Sequence, residues 1–129
     1  MSVTSDAILT ELRAFGLALP GAHSKSPWPE HDDLAVNDKT FAYLPVAGSA
    51  FTLSCKLPYT GHDALKLPFA SPTAYGLGKS NWVSFAPAES EIPSIRQLKE
   101  WVEESYRAQA PRRLVKALDE QGDERIEGR

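Results

Sequence analysis

A chain of 129 residues suffices for one ordinary domain with a single core, and 42% hydrophobic with 24% charged residues places it among globular proteins. No apolar run approaches the ~20 residues of a membrane span; no basic-then-apolar signal opens the chain, and one cysteine, Cys55, excludes a disulfide framework or a multi-cysteine zinc site. The net charge of −3 argues against a strongly basic nucleic-acid binder, but its spread is uneven: residues 1–38 carry −4, residues 39–88 carry +3 and the remainder −2.

The first expected element is a helix. Ser5 is placed to cap it and Asp6 to face its positive end. Ile8, Leu12 and Phe15 recur at helical spacing with Leu9 beside them, and Gly16 is placed to end the helix in a left-handed conformation. Leu19-Pro20-Gly21-Ala22 then reads as a turn. Pro27-Trp28-Pro29 excludes helix and permits an edge strand or a polyproline-like segment. Glu30-His31-Asp32-Asp33 reads as a polar, solvated turn, since its spacing matches no established metal loop.

Leu34–Val36 and Thr40–Leu44 flank Asn37-Asp38, two residues that tolerate positive φ, which predicts a β-hairpin. Phe51, Leu53, Cys55 and Leu57 alternate with Thr52, Ser54 and Lys56, so Cys55 is expected on a buried face and Lys56 on an open one. A short helix over Gly61–Leu67, stopped by Pro68, precedes an irregular connection bracketed by Pro72 and Gly76. Asn81–Ala86 is the last expected strand, with Trp82 and Ser84 on the less buried face. Ile95, Leu98, Val102 and Tyr106 mark one face of a long helix, supported by Arg96–Glu100 and Glu103–Arg107 pairs. Pro111 is expected to open a second helix holding Leu114, Val115 and Leu118. Residues 1–121 are read as a single domain. Residues 122–129 are read as a frayed polar tail whose end, Ile126-Glu127-Gly128-Arg129, resembles a protease-cleavage tag. Hairpin-joined strands and segregated helices define a two-layer α+β fold: an antiparallel sheet with helices on one face, in the order α-β-β-β-α-β(-β)-α.

No catalytic constellation stands out. Cys55 with a histidine could form a nucleophile and base, but a core-facing thiol is inert. Gly76-Leu77-Gly78-Lys79-Ser80 lacks the first glycine of a phosphate loop, Thr73 standing in its place, and a strand follows where a helix belongs. Glu100, Glu103 and Glu104 read as a solvated helix face. Lys39, Lys56, Lys79 and Trp82 could form a basic, aromatic surface that meets phosphates and stacks a base. The plainer reading has the lysines guarding sheet edges and Trp82 packing on a neighbouring loop. No enzyme activity, cofactor or metal is expected.

Leu19-Pro20-Gly21-Ala22, Pro27-Trp28, Lys39-Thr40-Phe41-Ala42, Tyr75-Gly76-Leu77-Gly78-Lys79-Ser80-Asn81-Trp82-Val83 and Glu104-Ser105-Tyr106-Arg107 with Ala110-Pro111-Arg112-Arg113 resemble, in register over about residues 5 to 118, the MmcQ/YjbR-like proteins. The resemblance implies a fold similar to CyaY/frataxin and the type III secretion chaperones. It also implies DNA binding through a double-wing motif, with no established enzymatic activity. This chain departs from many relatives at Asp38, where glycine is common, and at Gly76, where a bulkier polar residue is frequent. The frataxin likeness carries no iron site over, because the first helix lacks that family's acidic ridge. The expected function is therefore a cytoplasmic, non-enzymatic binding protein. DNA is the first partner to test, through Lys39, Lys56, Lys79 and Trp82; a protein or peptide held on the open sheet face is the alternative, and a membrane is not expected.

Overall fold

The computed structural model describes residues 3–26, 31–74 and 77–127. Helix α1 (Val3–Leu17) is followed by β1 (Ala22–Lys25), β2 (Asp33–Val36), β3 (Lys39–Tyr43) and β4 (Leu53–Lys56). A single-turn helix α2 (Gly61–Ala64), β5 (Ala70–Pro72), a 3-10 turn (Leu77–Ser80) and β6 (Trp82–Phe85) come next, and α3 (Ile95–Gln109) and α4 (Arg112–Glu127) close the described chain. The six strands form one antiparallel sheet in the order β1-β2-β3-β4-β6-β5.

The hairpin forms where two asparagine-type residues can take left-handed backbone: Asn37 and Asp38 have φ of 52° and 64°. Along β4 the predicted alternation holds, with Leu53 and Cys55 fully buried and Ser54 and Lys56 partly exposed. Their partners on β6 follow the same rule. Leu53 faces Phe85 and Cys55 faces Val83 on the core side, while Ser54 faces Ser84 and Lys56 faces Trp82 on the other. Helices α1 and α3 lie over the core side. Phe85 stacks on Trp101 at 4.1 Å, and Phe41 meets Tyr106 edge-on at 5.4 Å. Lys99 ties α3 to α1 through Glu11 at 2.9 Å.

Several local expectations change. Helix α1 starts at Val3, so Ser5 lies inside it and is buried instead of capping it. Gly16 remains helical; a Cβ there would sit 2.3 Å from Leu34 Cδ1, so its role is to let α1 lie directly on β2. The left-handed glycine comes later, at Gly21, with φ of 73°. A strand forms at Ala22–Lys25, directly after the expected Leu19–Ala22 turn and where no strand was expected, because β1 can pair antiparallel with β2 at the sheet edge just ahead of the prolines. The Pro27–Pro29 expectation lies outside the described residues, as do those for Tyr75 and Gly76. Helix α4 runs to Glu127, past the point where fraying was expected. Asp33 is no solvated turn residue: it opens β2, is fully buried, and its Oδ1 accepts the Leu44 N–H at 2.8 Å. A β-bulge beside Leu34 interrupts the β2–β3 ladder, and the side chain reaches past it to the Leu44 donor.

Candidate ligand-binding surface

The antiparallel pairing decides which residues share an end of the sheet. Strand β3 begins where β4 ends, since Ala42 pairs with Cys55 and Tyr43 with Ser54. Strand β6 begins beside the end of β4, with Trp82 opposite Lys56, and the 3-10 turn carrying Lys79 leads into it. Lys39, Lys56 and Lys79 therefore lie at one end of the sheet. Lys39 and Lys79 are exposed, Lys56 is partly so, and none of the three makes an ion pair with a described residue.

They do not share a face. Lys56 leaves the sheet on its open side. Lys39 pairs with Val36, a core residue, and so projects toward the helix layer at the rim. The end of α3 also reaches this rim, where Gln109 Nε2 donates to the Thr40 carbonyl at 3.0 Å. Asp38, the acidic neighbour of Lys39, is engaged by Lys25, whose Nζ lies 3.5 Å from its carboxylate and 3.0 Å from its carbonyl.

Trp82 sits on the open side of β6, as its alternation predicts, but is only 5% exposed. Tyr43 packs against it with ring centroids 5.2 Å apart, so its ring presents no free stacking face. Among the described residues the exposed aromatic at this end is Tyr59, which is 87% exposed in the turn after β4. That turn is anchored from both sides. Leu57 N–H donates to the Asn81 carbonyl at 2.8 Å, and the Glu104 carboxylate accepts from Tyr59 N, Thr60 N and Thr60 Oγ1 at 2.8, 3.0 and 2.7 Å. Glu104 is thus a structural clamp and not merely part of a solvated face.

A groove of about 420 Å³ runs across the open face, lined by His31, Tyr43, Ser54, Thr73, Ala74, Leu77 and Ser84. The strand order places Tyr43 of β3 on one flank and Thr73, Ala74 and Leu77 on the other, with Ser54 and Ser84 on the floor between them. Ser84 Oγ lies 2.8 Å from both Ser54 Oγ and Thr73 Oγ1, which makes a chain of three hydroxyls from β4, β6 and the residue that follows β5. A second hollow of about 350 Å³ shares His31, Tyr43 and Ser54 and extends toward Pro45 and Ala50.

The histidine end of this surface is held by several side-chain contacts. His31 Nδ1 lies 3.2 Å from Asp33 Oδ1, and its ring meets Tyr43 edge-on at 6.5 Å. Burial raises the Asp33 carboxyl above its ordinary value, against the Leu44 and His31 hydrogen bonds that lower it. Burial also raises the Tyr43 phenol, and the nearby Asp33 charge adds to that. Arg13 clips the same segment from α1: its guanidinium donates to the Asp32 and Pro45 carbonyls at 3.1 and 2.8 Å and pairs with the Asp32 carboxylate at 3.2 Å. Cys55 is buried on the opposite face with its thiol pKa pushed well up by desolvation, so it is not a nucleophile for this surface. Among the described residues no group of three or more His, Cys, Asp or Glu could hold a metal ion, and no helix is long and apolar enough to cross a membrane.

Of Lys39, Lys56, Lys79 and Trp82, the residues singled out from the sequence, the three lysines lie at one end of the sheet and Trp82 is buried; Tyr59 and the hydroxyl chain were not singled out. Ser54 and Ser84 were visible as polar positions of alternating strands. Their meeting was not, because it depends on β6 lying between β4 and β5.

Helices confined to one side of an antiparallel sheet, with a groove on the other, define a two-layer α+β domain whose sheet faces outward. A family model described as YjbR matches residues 17–108, from the end of α1 through nearly all of α3, and the protein belongs to that family. No curated protein matches the chain.

Proposed function

We propose that the protein is a non-enzymatic binding module that holds DNA at the lysine-bearing end of its sheet. The observation carrying this reading is that Lys39, Lys56 and Lys79, from three separate segments, lie at one end of the sheet, each without an ion-pair partner among the described residues. Cations that pair with no described acidic residue are available to displace counterions from phosphates, which is the main source of sequence-independent affinity for DNA. Tyr59 supplies the exposed aromatic ring that the buried Trp82 does not. No arrangement of side chains here matches base-specific readout, so the contact is with the backbone.

Fluorescence anisotropy on labelled mixed-sequence DNA at several salt concentrations tests the reading. The expected log–log slope steepens by about −0.9 per duplex phosphate contacted. The triple variant Lys39→Gln/Lys56→Gln/Lys79→Gln should bind more weakly at every salt concentration and show a shallower slope. Absence of binding at low salt sinks the proposal.

A further inference from the structure

We infer that the open-face groove receives an unpaired nucleobase, so that this surface prefers single-stranded DNA to duplex; the inference rests on the DNA-binding reading above. The groove and the lysines divide the labour that a single nucleotide requires. Among the described residues no lysine or arginine lines the groove, and the ionisable side chains in its lining are His31 and Tyr43. Cations stand immediately outside it. Lys56 is two residues beyond Ser54 on the same face of β4, about 7 Å along the strand, and Lys79 is two residues beyond Leu77 in the 3-10 turn. An uncharged body inside with anionic groups at the rim is the charge distribution of a base and its phosphates.

The walls suit a flat ring. Tyr43 forms one flank and is held from two sides, by Trp82 at 5.2 Å and by the edge of His31 at 6.5 Å, so little ordering remains to be done on binding. Leu77 and Ala74 form the apolar part of the other flank. The floor suits a polar edge. Three hydroxyls joined by two hydrogen bonds use two of their three protons on each other, which leaves one donor and several acceptor lone pairs. Because hydroxyls rotate, that floor meets a donor or an acceptor equally well, and it tolerates any of the four bases. A base in a duplex has its edge paired and its faces stacked, so it reaches such a groove only by being extruded; a single strand avoids that cost.

The test compares one labelled mixed-sequence oligonucleotide as a single strand and as a duplex, against the wild-type chain, Leu77→Trp, which fills the groove, and Ser84→Ala, which breaks the hydroxyl chain. Thermal melts establish that both variants are folded. The expected result is single-strand binding about 10-fold or more tighter than duplex binding, with a loss of about 10-fold for the single strand in either folded variant and no change for the duplex. Equal or tighter duplex binding, or single-strand affinity that neither folded variant alters, overturns the inference while leaving the DNA reading intact. Failure of both DNA forms to bind wild-type protein at low salt overturns the DNA reading and this inference with it.

Discussion

At Gly16 two effects of known size oppose each other. Alanine in a helix interior is favoured over glycine by about 1 kcal/mol. Here the added methyl carbon would lie 2.3 Å from Leu34 Cδ1, and because Leu34 is wholly buried its side chain can give way only by repacking within the core. Overpacking of that kind costs about 1–3 kcal/mol and should win. Gly16→Ala is therefore expected to lower stability in chemical denaturation, and an unchanged or raised midpoint would contradict the close approach of α1 to β2. Asp33 allows a pH experiment. The folded protein holds its proton more tightly than the unfolded chain does, because burial raises the carboxyl above the ordinary 3.8. Its contribution to stability is then fullest below pH 3.8 and is lost as the pH rises through the raised value. Asp33→Asn removes this loss, so the Tm of the variant relative to wild type should climb as the pH increases across that window. A difference that stays flat with pH would show that Asp33 is not buried as a carboxyl. Cys55 should resist thiol reagents at neutral pH in the native state and react in denaturant, since its desolvated thiol has a raised pKa and no solvent access.

Among the elements, the turn between β4 and α2 depends on a helix distant in sequence. Three donors from Tyr59 and Thr60 converge on one carboxylate of α3, and this holds the exposed Tyr59 at the sheet end. Glu104→Ala should cost only about 1 kcal/mol, because the pairing is solvent-screened. Amide exchange at Tyr59 and Thr60 should nevertheless accelerate well beyond that of β4; unchanged exchange would mean that the turn holds itself. Helix α3 was the most legible of the helices. Ser94 accepts from the Gln97 N–H as an N-cap, Leu98, Val102 and Tyr106 are buried as their spacing predicts, and Glu103 pairs with Arg107 at 3.0 Å. The β2–β3 hairpin was equally legible, because Asn37 and Asp38 are among the few residue types that tolerate its turn. Strand β1 was not: Ala22-His23-Ser24-Lys25 carries no alternating hydrophobic pattern and becomes a strand only because β2 offers it an edge.

At the scale of the whole molecule, a net charge of −3 would repel DNA if it were evenly spread. The salt-dependence experiment therefore tests a local field against an opposing global one, and the slope, not the affinity alone, is the decisive readout. The sequence by itself determined the fold class and much of the core, because helical and alternating periodicities are set by neighbours a few residues apart. It determined equally that Cys55 faces inward and that Lys56 faces outward. Only the tertiary structure decided that Lys39, Lys56 and Lys79 lie at one end of the sheet, that Trp82 is covered by Tyr43, and that Ser54, Ser84 and Thr73 form one chain. Each of these depends on which strands are neighbours and in what register, and strand order is fixed by long-range burial that no local pattern records.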